Sequence, residues 1–342
     1  MDSASANISS SAAIPQHGGL VIGVDIGGTK IAAGIVDRAG QIIHEIRTSM
    51  ISNNGAEPAI SAVVSAIESV SREMETGQEL FRAIGICSPG PLNPADGIII
   101  NPPNLPCWRN FPITADLAKI YPVPVLLDND GNAAALAEAL WGAGRGYRNV
   151  FYVTVGTGIG TGIIFDGKIY HGRTGAAGEG GHISIDYRGL RCGCGKRGCI
   201  EALAAGPAIG ERARAKLEAQ KRRESIMLDL AGGEVEAVTS QIVGKAYDAG
   251  DCLAQEVLSE TVALLSVWLG NIVDLLEPDV IIVGGGVAQM LTPFFPQIRD
   301  QLSAWCVNSR CQEIPIILAH YGAHAGVAGA AALCSAFFAP SA

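Results

Sequence analysis

Hydrophobic residues in this chain fall into short continuous runs that alternate with stretches of helical spacing. The first run, VIGVDIGGTKIAAGIVDRAGQIIHEIRT (21–48), is rich in Val and Ile. Gly27–Gly28 and the turn signal Asp37-Arg38-Ala39-Gly40 break it, which predicts two or three strands in hairpin order. Ile60, Val63, Val64, Ile67 and Val70 then recur one helical turn apart and predict a helix over 56–76. Residues 82–90 read as a buried strand ending in a Pro-Gly turn, and 91–112, rich in Pro and Asn, as a long irregular loop. A short helix opened by Pro (112–121), a strand (122–128) and a stronger helix (131–144) follow.

The pattern then restarts. Residues 150–172 repeat the opening design: apolar strand, Gly-rich turn, strand, Asp-Gly turn, strand. With Val24 set on Val153, Asp25-Ile26-Gly27-Gly28-Thr29 faces Thr154-Val155-Gly156-Thr157-Gly158, an internal repeat that implies two related lobes. Helices near 203–220, 234–249 and 252–276, a strand at 279–287, a helix at 292–305, a strand at 314–319 and an Ala-rich helix at 323–338 complete the reading. Two βββ-α-β-α lobes describe an α/β protein of the two-lobed actin-like/hexokinase (ribonuclease H-like) architecture, with a nucleotide in the interlobe cleft. The expected division is a disordered Ser/Ala-rich tail (1–19), an N-terminal lobe (20–127) with helix 323–338 packing back on it, and a C-terminal lobe (128–322).

Composition narrows the setting. With 342 residues, 48% of them hydrophobic, the chain can bury a core in each of two domains. A net charge of −9 without a basic run argues against nucleic acid as a partner. Nine cysteines, an odd number, do not read as a secreted disulfide framework. The N-terminal tail lacks the basic start and apolar stretch of a secretion signal, and the run 280–283 is too short to span a bilayer. The expectation is a cytoplasmic protein with no membrane partner.

Three constellations carry candidate chemistry. Asp25, Gly27, Gly28, Thr29 and Lys30 form a turn between two strands, where adjacent glycines let backbone N–H groups cradle a polyphosphate and Asp25 can hold a hydrated Mg²⁺. A plain Gly hairpin is the alternative for that fragment alone. Gly156, Thr157, Gly158 and Gly160 form the counterpart, and Gly284, Gly285 and Gly286 end a strand where an adenine or ribose can lie against bare backbone. At 126–132 (LLDNDGN) a buried strand runs into a helix. Asp130 stands there as a candidate general base or an ordinary N-cap, with Asp128 as its competitor and Asn129 beside it. Finally, His182-x9-Cys192-x-Cys194-x4-Cys199 is a Cys₃His set suited to structural zinc, with Glu179 and Glu201 close by in sequence.

Seven motifs occur in one order: D-I-G-G-T-K, S-P-G-P, P-N-L-P-x-W, D-N-D-G-N-A-A-A-L-A-E, G-T-G-I-G-T-G, G-E-G-G-H and C-x-C-G-x-x-G-C-x-E. Over about residues 20–335 the chain resembles the ROK family of sugar kinases and repressors. The resemblance implies an ATP-dependent hexose kinase, most like the bacterial glucokinases, with N-acetylmannosamine kinase as the alternative and a non-catalytic sugar sensor as a further one. It implies Asp130 as the base, sugar contacts from Asn129, Glu179, His182, Glu201, Asn104 and Gly90, and zinc on His182, Cys192, Cys194 and Cys199. ATP with Mg²⁺ and assembly as a homodimer or homotetramer are implied in the same way. The roughly twenty polar residues before the first strand are too few for a repressor's DNA-binding domain.

Overall fold

The computed structural model describes residues 19–74, 81–219 and 225–338. Most of the expected tail (1–18) and the ends of two expected helices (75–76 and 220) lie outside them. The opening run forms three strands, β1 (Val21–Ile26), β2 (Lys30–Val36) and β3 (Ile42–Ser49), followed by α1 (Ala56–Ser71) and β4 (Ile84–Ser88). The loop expected at 91–112 contains a small hairpin, β5 (Leu92–Asn93) and β6 (Ile98–Ile99), before α2 (Ile113–Ala118), β7 (Val125–Asn129) and α3 (Asp130–Leu140).

The second half places β8 (Val150–Val155), β9 (Ile159–Phe165) and β10 (Lys168–Ile169) at the expected positions. Helices α4 (Ile200–Ala204) and α5 (Gly206–Ala219) follow, then α6 (Ile226–Leu230), which the hydrophobic pattern did not announce. After α7 (Ser240–Asp248) and α8 (Cys252–Leu276) comes β11 (Val280–Gly284), which stops where Gly285 takes a positive φ of 90°. The helix expected at 292–305 has α10 (Phe295–Gln301) at its centre, and a Pro-containing turn separates it from α9 (Ala288–Leu291), which was not expected. β12 (Ile316–Leu318) and α11 (Ala325–Leu333) close the fold.

The strands form two matching five-stranded sheets, β3-β2-β1-β4-β7 and β10-β9-β8-β11-β12. In each, the first three strands are antiparallel and the last two add parallel to the centre. The internal repeat is therefore structural, and the fold is the two-lobed actin-like one. β1, β4 and β11 are almost wholly buried, which explains their unbroken apolar runs. α8 is long and apolar enough to cross a membrane, but 61% of its apolar window is buried, with Trp268 and Leu269 deep in the second lobe's core.

α3 and α11 pack on each other between the sheets. α11 also lies on β1 and β4, closely enough that a Cβ at Gly23 would overlap the Val327 carbonyl oxygen and one at Gly85 the Ala330 carbonyl oxygen. Gly85→Ala is expected to destabilise the protein by about 1–3 kcal/mol through overpacking, read as a lowered denaturation midpoint. An unchanged midpoint would mean that α11 does not press on the sheet as described.

Candidate active site

β7 ends at Asn129, whose Oδ1 accepts hydrogen bonds from Gly131 N at 2.9 Å and Asn132 N at 3.4 Å. Asn129 is thus the N-cap of α3, and Asp130, read from sequence as the cap, is the first helical residue. The correction matters because the capping task falls to the neighbour and Asp130 keeps its carboxylate for the cleft. It accepts Gly131 N at 2.8 Å, and burial at this corner pushes its carboxyl up, against the lowering effect of that N–H. Asp128 is 3% exposed and is committed to other partners: Asn129 N at 2.7 Å, Asn132 Nδ2 at 3.0 Å and His171 Nε2 at 2.6 Å. With that many donors it is a structural acceptor rather than a base.

Asp25 ends β1 next to the first glycine turn, which closes through Gly27 N to Lys30 O at 2.9 Å. Its carboxyl is raised to about 6, first by burial and then by the negative charge of Asp130. The thiol of Cys87 donates to its Oδ1 at 3.5 Å and works the other way. Two carboxylates from different elements thus lie near enough for the charge of Asp130 to act on Asp25. Asn104 leans on the same turn, since a Cβ at Gly28 would sit 2.7 Å from its carbonyl oxygen. Thr29 and Lys30 are exposed.

The second turn closes through Gly156 N to Gly158 O at 2.9 Å, and Gly206 N donates to Gly156 O at 2.8 Å. Of the three glycines after β11, Gly284 is packed against Tyr152 and Gly285 against Thr154 and Val155, while Gly286 faces open space. Gly286 lines a cavity of about 320 Å³ with Ser240, Gln241, Gly244 and Lys245 of α7. A Cβ at Gly206 would lie 2.9 Å from Gly156 O and 3.1 Å from Ser240 Oγ, so the cavity adjoins the second turn. The α7 residues escaped sequence reading; a glycine inside an amphipathic helix was the only local signal.

His182, Cys192, Cys194 and Cys199 present ligand atoms all within 4.8 Å of one another. Cys192 Sγ is 3.7 Å from His182 Nδ1 and Cys194 Sγ is 3.6 Å from Cys199 Sγ. A tetrahedron with Zn–S bonds of about 2.3 Å has edges of about 3.8 Å, so the set fits that ion. Glu201 joins this cluster to the second turn: its Oε1 lies 3.8 Å from both His182 Nδ1 and Cys192 Sγ, and its Oε2 accepts Ile159 N at 3.0 Å. Glu179 lies near Gly90 and Asn129; a Cβ at Gly90 would be 3.7 Å from Asn129 Nδ2 and 3.9 Å from Glu179 Oε1.

Two supports went unread in the sequence. Thr161 Oγ1 bonds Gly178 O and accepts Gly180 N at 2.8 Å, and Trp268 Nε1 donates to Gly180 O at 3.1 Å, so both grip the segment that carries Glu179.

Folded Asp25 holds its proton more tightly than the unfolded chain does. Its stabilising contribution is full below about pH 4 and is lost as pH rises through about 6. Asp25→Asn is therefore expected to stabilise the ligand-free protein at about pH 8 by about 1–3 kcal/mol, at ~1.4 kcal/mol per pK unit, and to change little at about pH 4. Denaturant midpoints measured at both pH values check this, and equal midpoints for both proteins would refute it.

The ROK family model matches residues 21–336. The glucokinase of Streptomyces coelicolor is 35% identical over 318 residues, covering 92% of this chain and 97% of that protein. The N-acetylmannosamine kinase of Yersinia pseudotuberculosis is 30% identical over 310 residues, covering 91% and 96%. Among solved structures, a ROK family glucokinase from Streptomyces griseus in complex with glucose and AMPPNP superposes with a TM-score of 0.78 at 34% identity, covering 92% of this chain and 99% of that one. The family model and these relatives each cover nearly the whole chain, and the protein belongs to the ROK family.

Proposed function

We propose that this protein is an ATP-dependent glucokinase that transfers the γ-phosphoryl group to the 6-hydroxyl of glucose, with Asp130 as general base. The observation that carries the reading is the position of Asp130 between Asp25 on one side and the Gly90–Asn129–Glu179 convergence on the other. A hydroxyl held there can donate to the Asp130 carboxylate, and a carboxyl raised by burial is the stronger base for it. Asn129, Glu179, His182 and Glu201 hold the sugar hydroxyls, with Gly90 and Asn104 lining the pocket. Because His182 Nδ1 is turned to Cys192, its Nε2 is the nitrogen left for the sugar.

The turns Asp25–Lys30 and Gly156–Gly160 offer backbone N–H groups to the phosphates, and the cavity at Gly286 takes the nucleobase. Asp25 would hold Mg²⁺ arriving with ATP, which when bound neutralises charge on the phosphates. His182, Cys192, Cys194 and Cys199 would hold zinc, which when bound fixes the segment carrying Glu201. The setting is the cytoplasm, where the nine cysteines stay reduced and available to a metal. The lobes divide near residue 127, with α11 returning to the first sheet.

An ADP-release assay over a hexose panel is expected to give the highest kcat/KM with glucose. Preference for N-acetylmannosamine would move the assignment to that kinase class, and no turnover on any hexose would refute it. Asp130→Asn is expected to lower kcat by about 10²–10⁴-fold with glucose affinity retained. Metal chelation is expected to lower the thermal midpoint and glucose affinity together; a stripped protein that binds glucose normally would separate the cluster from the pocket.

A further inference from the structure

We propose that His171 is a positioning residue for sugar phosphorylation, tying the strand corner that carries Asn129 and Asp130 to the loop that carries Glu179. The proposal deepens the kinase reading and rests on its assignment of those three residues.

His171 follows β10 of the second sheet, while Asp128 is the penultimate residue of β7 of the first. Its Nε2 donates to Asp128 Oδ2 at 2.6 Å, with the ring 39% exposed and the carboxylate almost wholly buried. The other oxygen of Asp128 accepts Asn129 N at 2.7 Å and Asn132 Nδ2 at 3.0 Å. One buried carboxylate thus takes a donor from the second sheet and two from the corner that presents Asp130. On its other side, the His171 carbonyl accepts Ala177 N at 3.2 Å, closing a loop whose exit runs through Gly178 into Glu179. That loop's far end is held by Thr161 on Gly178 O and Gly180 N.

The two ends of this chain of bonds meet the same space. Gly90 stands beside both Asn129 Nδ2 and Glu179 Oε1. Without the imidazole, Asp128 keeps its corner contacts but loses its link to the second sheet, leaving a buried carboxylate oxygen without its donor. The hydrogen bond to Asp128 raises the His171 pKa, with burial of the ring opposing it, as a working donor requires. A displacement of about 1 Å between a base and the groups holding its substrate can cost ~10²-fold in rate.

The experiment compares wild type, His171→Ala, His171→Gln and Asp130→Asn by steady-state kinetics with glucose and ATP varied separately, and by calorimetric glucose binding. His171→Ala is expected to raise glucose KM and weaken glucose binding while lowering kcat, about 10–100-fold together in kcat/KM for the sugar. ATP KM is expected to stay within about two-fold, since no phosphate turn is touched. His171→Gln, whose amide N–H can reach Asp128, is expected to recover most of the loss. Wild-type glucose KM in His171→Ala overturns the proposal. So does a loss that falls equally on both substrates and tracks the fraction of folded protein. Should the Ala variant fail to fold, His171→Gln is set against His171→Asn, whose shorter amide falls short, and equal impairment of the two overturns it. Failure of the kinase reading is distinct, since wild type would then turn over no hexose; the effect of His171→Ala on glucose binding still decides the positioning claim.

Discussion

Two short helices built largely from Ala and Gly, α3 and α11, press together between the sheets, and the site follows from how near they come. A Cβ at Gly329 of α11 would lie 2.6–2.8 Å from backbone atoms of Ala133 in α3. A Cβ at Gly326 would overlap the Asp25 carboxylate. Small residues at these crossings let backbones approach where larger side chains would hold them apart. The first turn of α11 is thereby set over Asp25, and α3 presents Asp130 to the same cleft. Burial raises both carboxyls there, and the charge of Asp130 adds to the rise at Asp25.

The second constraint is the short segment from Gly178 to Glu201. It is held by Thr161 and Trp268 at one end and by the Cys₃His cluster at the other. Glu201 touches the cluster with one oxygen and the second glycine turn with the other. The Cys₃His cluster and the second glycine turn are therefore mechanically joined through one carboxylate. A kinase needs the parts of its cleft fixed relative to each other.

Buried polar groups mark the same places. Asp128, Glu138 and Thr161 are buried, and each spends its hydrogen bonds on backbone or on a neighbouring side chain. Glu138 is an example outside the site: it accepts Ala143 N at 2.8 Å and Tyr321 N at 2.9 Å, linking the end of α3 to the approach of α11. Such groups are costly unless satisfied, so they fix one arrangement of the two helices rather than several.

The strand and turn order, the repeat of the two lobes and the Cys₃His set were legible in the sequence, because each depends on local periodicity, glycine and short spacing. Val24 and Val153 set the repeat in register, and β1–β2 and β8–β9 match residue for residue. The sequence also carried Asp130, but not which residue caps α3, since Asn and Asp are nearly equal caps and only the backbone's entry angle chooses. Tertiary structure alone decided the fate of Asp128, whose partner His171 lies 43 positions away. It likewise decided that Glu179 meets Asn129 beside Gly90 and that α7 walls the cavity at Gly286. These depend on contacts between elements remote in the chain, for which hydrophobic pattern holds no record.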